Sequence, residues 1–138
     1  MLPISQRMFV AACFLVAAGV LAGAHHSIAT VYDGSKSVKL EGVITKFEFM
    51  NPHPILTIDV VDASGIPQPW RLEMDNRSEL AAIGVTSQTF KPGDRVVAAG
   101  SPARAESRSL YLLRLDRPDD GFGYEQVGGT PRIRARSR

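Results

Sequence analysis

Five short strand-like segments, with one short helical segment between the third and the fourth, predict an all-β domain with one short helix, closed as an OB-like five-stranded barrel in the order β-β-β-α-β-β. Three observations carry this prediction. The first strand segment, residues 38–50, is long, alternates with period 2 and changes phase once, at a glycine. A capped helical stripe separates the third strand from the fourth. Turn signals recur at the spacing of short strands. Another small β-roll or open barrel is the alternative that the same pattern permits. With 44% hydrophobic and 22% charged residues in 138, the chain has the balance of a globular domain.

Taken in order, residues 1–24 read as an export signal. Arg7 ends a short positive segment, Met8 to Leu21 is apolar, and Ala22-Gly23-Ala24 places small residues where signal peptidase accepts them. An uncleaved anchor is the alternative, but the run is at the short limit for a membrane span. The one cysteine, Cys13, lies inside this run. Val10-Ala11-Ala12-Cys13 looks like a lipoprotein box, yet the apolar run continues past it, whereas a lipoprotein segment ends near its cysteine. Cleavage therefore leaves no cysteine, which excludes disulfides, thiolate metal sites and cysteine nucleophiles. The expected destination is the periplasm, without stable membrane insertion after cleavage.

Residues 25–37 form an irregular segment with a turn at Asp33-Gly34. The barrel is expected over 38–115. In the first strand Val38 and Leu40 share one face; after Gly42 the set Val43, Thr45, Phe47 and Phe49 takes over, the mark of a bulge at glycine. A strand bent there can serve two sides of a barrel. Asn51-Pro52-His53-Pro54 breaks the strand. The second strand, from Ile55 to about Val61, turns Leu56, Ile58 and Val60 inward, and Asp62-Ala63-Ser64-Gly65 makes a hairpin turn. The third, about Gln68 to Met74, puts Trp70, Leu72 and Met74 on the core face and leaves Glu73 outward as a solvated charge. Asn76 caps a helix with Glu79 three residues on, Leu80 and Ile83 form its stripe and Gly84 ends it; a second helical turn is expected from Thr86. Lys91-Pro92-Gly93-Asp94 is a turn before strands at Arg95–Gly100 and Leu110–Leu115. Residues 116–138, rich in Gly, Pro and Arg, are expected to be a flexible tail.

The candidate site rests on the chain's three histidines, His25, His26 and His53. Cleavage after Ala24 makes His25 the first residue, offering its α-amine and imidazole to one metal. A further imidazole completes a nitrogen-rich site of the kind that suits Cu(II). His53, set in a turn, is the natural third ligand, with His26 a substitute and Asn51 the residue to orient the His53 ring by a hydrogen bond. Cleavage after Ala22 would give Gly-Ala-His, which also captures Cu(II). A zinc site would need a carboxylate such as Asp33 or Glu73 brought near by folding. The plain alternative is that His25 and His26 are solvated and His53 only shapes a turn.

No catalytic constellation is visible. Ser27 beside two histidines does not make a triad, and no phosphate-binding glycine loop is present. Arg132, Arg134, Arg136 and Arg138 concentrate positive charge at the end of a chain with 16 Lys and Arg against 14 Asp and Glu. Without outward aromatic residues among basic ones, and in an exported protein, that charge argues for a solubilising tail rather than nucleic-acid binding. Two functions follow as expectations: a periplasmic binding or accessory module holding copper, or a metal-free protein–protein adaptor in a cell-envelope complex.

Ala24-His25-His26-Ser27, the Val38…Leu40…Gly42…Phe47 strand, Asn51-Pro52-His53, Trp70…Glu73 and Lys91-Pro92-Gly93-Asp94…Val96 together resemble a family of exported bacterial proteins known only as a domain of unknown function. The resemblance runs from about His25 to Leu115. It departs after the helix, where the family usually carries an Arg-Gly-Trp-like segment and this chain has Ala82-Ile83-Gly84-Val85. It implies an exported small β-barrel and no established activity.

Overall fold

A computed structural model describes residues 28–134 of the chain. Residues 28–31 form a helical turn, and the domain proper runs from Tyr32. Its elements are β1 (Val38–Glu48), β2 (Ile55–Val61), β3 (Pro67–Glu73), α1 (Arg77–Ala82), β4 (Arg95–Pro102), β5 (Ser109–Arg117), β6 (Phe122–Val127) and β7 (Thr130–Arg134). Neighbouring strands run in the order β3-β2-β1-β4-β5-β6-β7. Parallel pairing of Arg71–Glu73 with Ser109–Tyr111 joins β3 to β5 and closes the first five strands into a barrel. This is the expected OB-like order, with two strands added.

One strand can serve two sides of the barrel because β1 is bent. Val38–Val43 pair with β4, while Val43–Glu48 pair with β2. Gly42 sits at the changeover, where a Cβ would meet the Asp59 carbonyl oxygen at 2.5 Å. The phase change, however, falls at Thr45 and not at Gly42. Leu40 and Ile44 are both buried on one face, and the register slips between Ile44 and Lys46. Phe47 then packs on the core, and Val43 is exposed. Gly42 answers a need for close backbone approach; the surplus residue of the bulge is Thr45, whose hydroxyl donates to the Thr57 carbonyl at 3.3 Å.

The core follows the alternation of the other strands. Leu56, Ile58, Leu72 and Met74 are fully buried, with Val60 and Trp70 packed at the margin. Helix α1 contributes Leu80, and the Asn76 side chain accepts from Ser78 N–H at 2.8 Å as the N-cap. Glu79 does not close the expected capping box: Asp75 Oδ1 takes the Asn76 N–H at 2.7 Å. Thr86 opens no helix, because its N–H donates to Thr89 Oγ1 and its carbonyl accepts from Thr89 N–H in a single tight turn. The Lys91-Pro92-Gly93-Asp94 turn plugs into the bend of β1, with Gly93 N–H donating to Ile44 O at 2.8 Å and Ile44 N–H to Asp94 O at 2.9 Å.

The expectation of a flexible tail from residue 116 is corrected. Strand β5 runs on to Arg117, and β6 and β7 form a hairpin on Gly128 and Gly129, both at positive φ. The physical reason is an open edge. β3 pairs with β5 only as far as Tyr111, and β6 takes the free stretch Arg114–Arg117. Tyr124 is then fully buried. Arg117 locks the corner by donating to the Thr89 carbonyl and the Asp94 and Asp120 carboxylates, with its guanidinium 4.9 Å from the Phe122 ring centroid.

Among the described residues the first half of β3 pairs with β2 alone, and its other edge is blunted. Arg71 N–H points away from β2, to the Arg108 carbonyl at 2.9 Å. Residues 67 and 69 have the same parity and would aim their N–H groups to the same side. Both are proline, so the donors are missing where a foreign strand would add.

Candidate metal site at the Asn-Pro-His corner

His53 stands in the corner between β1 and β2, and the segment after β3 holds that corner from both flanks. Before the histidine, Arg77 Nε donates to the Phe49 carbonyl at 3.2 Å and the guanidinium stacks 4.6 Å from the Phe49 ring centroid. Arg77 N–H donates to the Pro52 carbonyl at 3.0 Å, and after the histidine Met74 N–H donates to the Pro54 carbonyl at 2.9 Å. The two prolines limit the backbone further.

The ring of His53 is half-buried, and its Nδ1 lies 3.1 Å from the Met74 carbonyl. A carbonyl only accepts, so in the neutral ring this bond selects the tautomer with the proton on Nδ1 and the lone pair on Nε2. That is the arrangement in which an imidazole is ready to ligate a metal through Nε2 while a second bond fixes the ring. The group seen bonding the ring is the Met74 carbonyl; Asn51 is exposed. A backbone carbonyl from the adjoining strand reaches the ring first because β2 and β3 are in register at Ile55–Glu73.

His25 and His26 lie outside the described residues. Among the described residues no three or more His, Cys, Asp and Glu side chains gather into a group that could hold a metal. The carboxylates considered for zinc are occupied. Asp33 bonds Ser35, Lys36 and Arg104, and the Ser35 and Lys36 bonds hold its carboxyl down at about 2. Glu73 is not the solvated charge expected: it is 17% exposed, accepting from the Tyr32 hydroxyl at 2.7 Å and from Arg71 at 3.2 Å. Burial, then the Glu73 bond, raises the Tyr32 phenol above its ordinary value.

Behind Glu73 lies a polar group that sequence reasoning missed. Asp75 is buried, and its Oδ2 has no partner by hydrogen-bond geometry. Gln126 donates to the hydroxyls of Tyr111 at 3.0 Å and Tyr124 at 3.3 Å. Burial pushes Tyr111 up to about 12 and raises Tyr124 further. No linear signal links these residues, since they meet only when β6 docks beside β5.

On the surface, Arg132 pairs with Glu125 at 2.6 Å and Arg134 with Asp116, so the arginines of β7 are engaged rather than presented as a basic face. Among the described residues no helix is long and apolar enough to cross a membrane. No curated protein matches the chain. Across residues 12–110 the chain matches, and therefore belongs to, a family of unknown function (DUF6152).

Proposed function

We propose that this chain is exported by a cleavable leader and works in the periplasm as a copper-binding accessory module. The ligands would be the α-amine and imidazole of a processed N-terminal His25 and the Nε2 of His53, with His26 as substitute. The observation that supports the reading is the state of His53: its Nδ1 is spent on the Met74 carbonyl and its corner is tied down by Arg77 and Met74. Pre-ordering of this kind lowers the entropy that a ligand loses on binding metal.

The alternative, a metal-free adaptor, draws no comparable support. A partner adding a strand to β3 would meet Pro67 and Pro69 where it needs donors.

Intact mass of the exported protein, recorded with and without Cu(II) and repeated for His53→Ala, tests the proposal. The expected result is a chain beginning at His25 that takes up one copper ion and loses affinity with the substitution. Copper uptake indifferent to His53 would reject the shared site. A retained leader would reject the role of the terminal amine.

A further inference from the structure

We infer that Asp75 is the positioning residue for the His53 imidazole: its buried carboxyl fixes the peptide whose carbonyl holds the ring. The inference rests on the copper reading for the purpose the ring serves, and on the contacts around Asp75 for the positioning itself. Residues 74–77 grip the histidine corner at four points. Met74 N–H donates to the Pro54 carbonyl, and the Met74 carbonyl accepts from His53 Nδ1. Arg77 N–H donates to the Pro52 carbonyl, and Arg77 Nε to the Phe49 carbonyl. Whatever sets the course of this stretch therefore sets the ring.

Asp75 sets that course from inside. An aspartate ahead of a helix is ordinarily exposed, because its carboxyl is costly to take out of water. Here it is 8% exposed. The Met74 carbonyl belongs to the peptide between Met74 and Asp75, and both flanking side chains are anchored. Met74 is fully buried in the barrel core. Asp75 is buried where its charge acts on the phenols of Tyr111 and Tyr124, which burial raises first, Gln126 lowers in part and Asp75 raises again. The next peptide is fixed as well, since Asp75 Oδ1 accepts from Asn76 N–H at 2.7 Å. Gln126 donates to both phenol oxygens, so each phenol keeps its own proton to give, and Asp75 Oδ2 is a buried acceptor without a hydrogen-bond partner. The two sides are complementary. The carboxyl thus stands between the 74–77 turn and the Tyr111, Tyr124 and Gln126 side chains of β5 and β6, and the docked hairpin reaches the His53 ring through this one residue.

The test reads the ring and needs no metal. Nitrogen resonances of isotope-labelled histidine, recorded on the exported protein with the His53 ring neutral, should show the proton on Nδ1 in the wild type. Asp75→Ala should free the Met74 carbonyl to drift, and the ratio of the Nδ1–H form to the Nε2–H form should fall roughly fivefold, the worth of one ordinary hydrogen bond. Asp75→Asn should restore the ratio, because its amide oxygen still accepts from Asn76 N–H and its NH2 group can donate to a phenol oxygen. A merely structural Asp75 would instead give Asp75→Ala a lower melting temperature with the wild-type ratio. Asp75→Ser, which keeps a small polar group but shortens its reach, takes the place of Asp75→Ala if that variant does not fold. An unchanged ratio in the folded Asp75→Ala or Asp75→Ser protein overturns the inference. So does an Asp75→Asn protein as disturbed as they are, or a wild-type ring protonated chiefly on Nε2. The copper reading fails separately: Cu(II) uptake that ignores His53→Ala strikes that reading and leaves the response of the ring to Asp75 as it was.

Discussion

Replacing Gly42 by alanine should destabilise the barrel far more than its single methyl group suggests. The added Cβ would lie 2.5 Å from the Asp59 carbonyl oxygen and 3.2 Å from both the Asp59 carbonyl carbon and Val60 Cγ2, where ordinary contact begins at 3.4 Å. Two of those three atoms are backbone, so rotamer changes cannot relieve the clash; β1 and β2 must part at the bend. Overpacking of this sort costs about 1–3 kcal/mol. Loss of glycine's freedom in the unfolded chain returns about 0.4–1 kcal/mol. The net is a loss of about 1–2 kcal/mol. For a domain of this size that lowers the melting temperature by roughly 5–15 °C. Gly34 is the internal control: nothing lies within 4 Å of its virtual Cβ and its φ is not left-handed. Gly34→Ala should therefore stay within about 0.5 kcal/mol of the wild type. The assay is urea unfolding at constant slope for both variants, with thermal melts beside it. If Gly42→Ala unfolds at the same midpoint as Gly34→Ala, the close-approach argument for the bend is wrong.

Other consequences can be checked with the same purified material. Tyr124→Ala should cost about 3–5 kcal/mol, as other buried aromatic truncations do, because the β6–β7 hairpin belongs to the core; a cost near zero would restore the picture of a loose tail. Arg77→Ala removes one charged hydrogen bond and a ring contact from the histidine corner, an expected loss of about 1–2 kcal/mol in urea unfolding, and an unchanged midpoint would mean that backbone bonds alone hold the corner. Tyr32, Tyr111 and Tyr124, the only tyrosines, all have phenols raised above 10.0. Because folding raises these values, the stability they contribute is complete below pH 10 and is lost as pH climbs through about 12, the value of Tyr111. The folded protein should thus show little phenolate absorbance at pH 10, where its urea-unfolded form is half ionised; coincident titrations would refute the burial of these rings.

Much of the barrel is legible in the chain. Alternation in β2 and β3 identifies Leu56, Ile58, Leu72 and Met74 as core, and Asn76 announces the helix through its capping side chain. The phase change in β1 is visible too, but its position is not: a glycine inside a strand can mark either a bulge or a close approach, and only the partner strand distinguishes them. The β6–β7 hairpin had a signal, since Gly128-Gly129 separates two short alternating runs. The charge and glycine content of residues 116–138 masks it. His53 stands out as the histidine in a proline-bounded turn, while the carbonyl that orients it is invisible in sequence because every residue has one.

Features that depend on neighbours a few positions apart, such as turns, caps and strand faces, were written into the order of residues. Steric limits and hydrogen bonds of short reach dictate them. Features that join distant stretches had to wait for closure of the barrel. Tyr32 meets Glu73 across 41 residues and His53 meets Met74 across 21, and the open half of β5 that recruits β6 exists only once β3 has paired with the rest. Chain entropy makes such contacts improbable until many form together, so no local stretch encodes them alone.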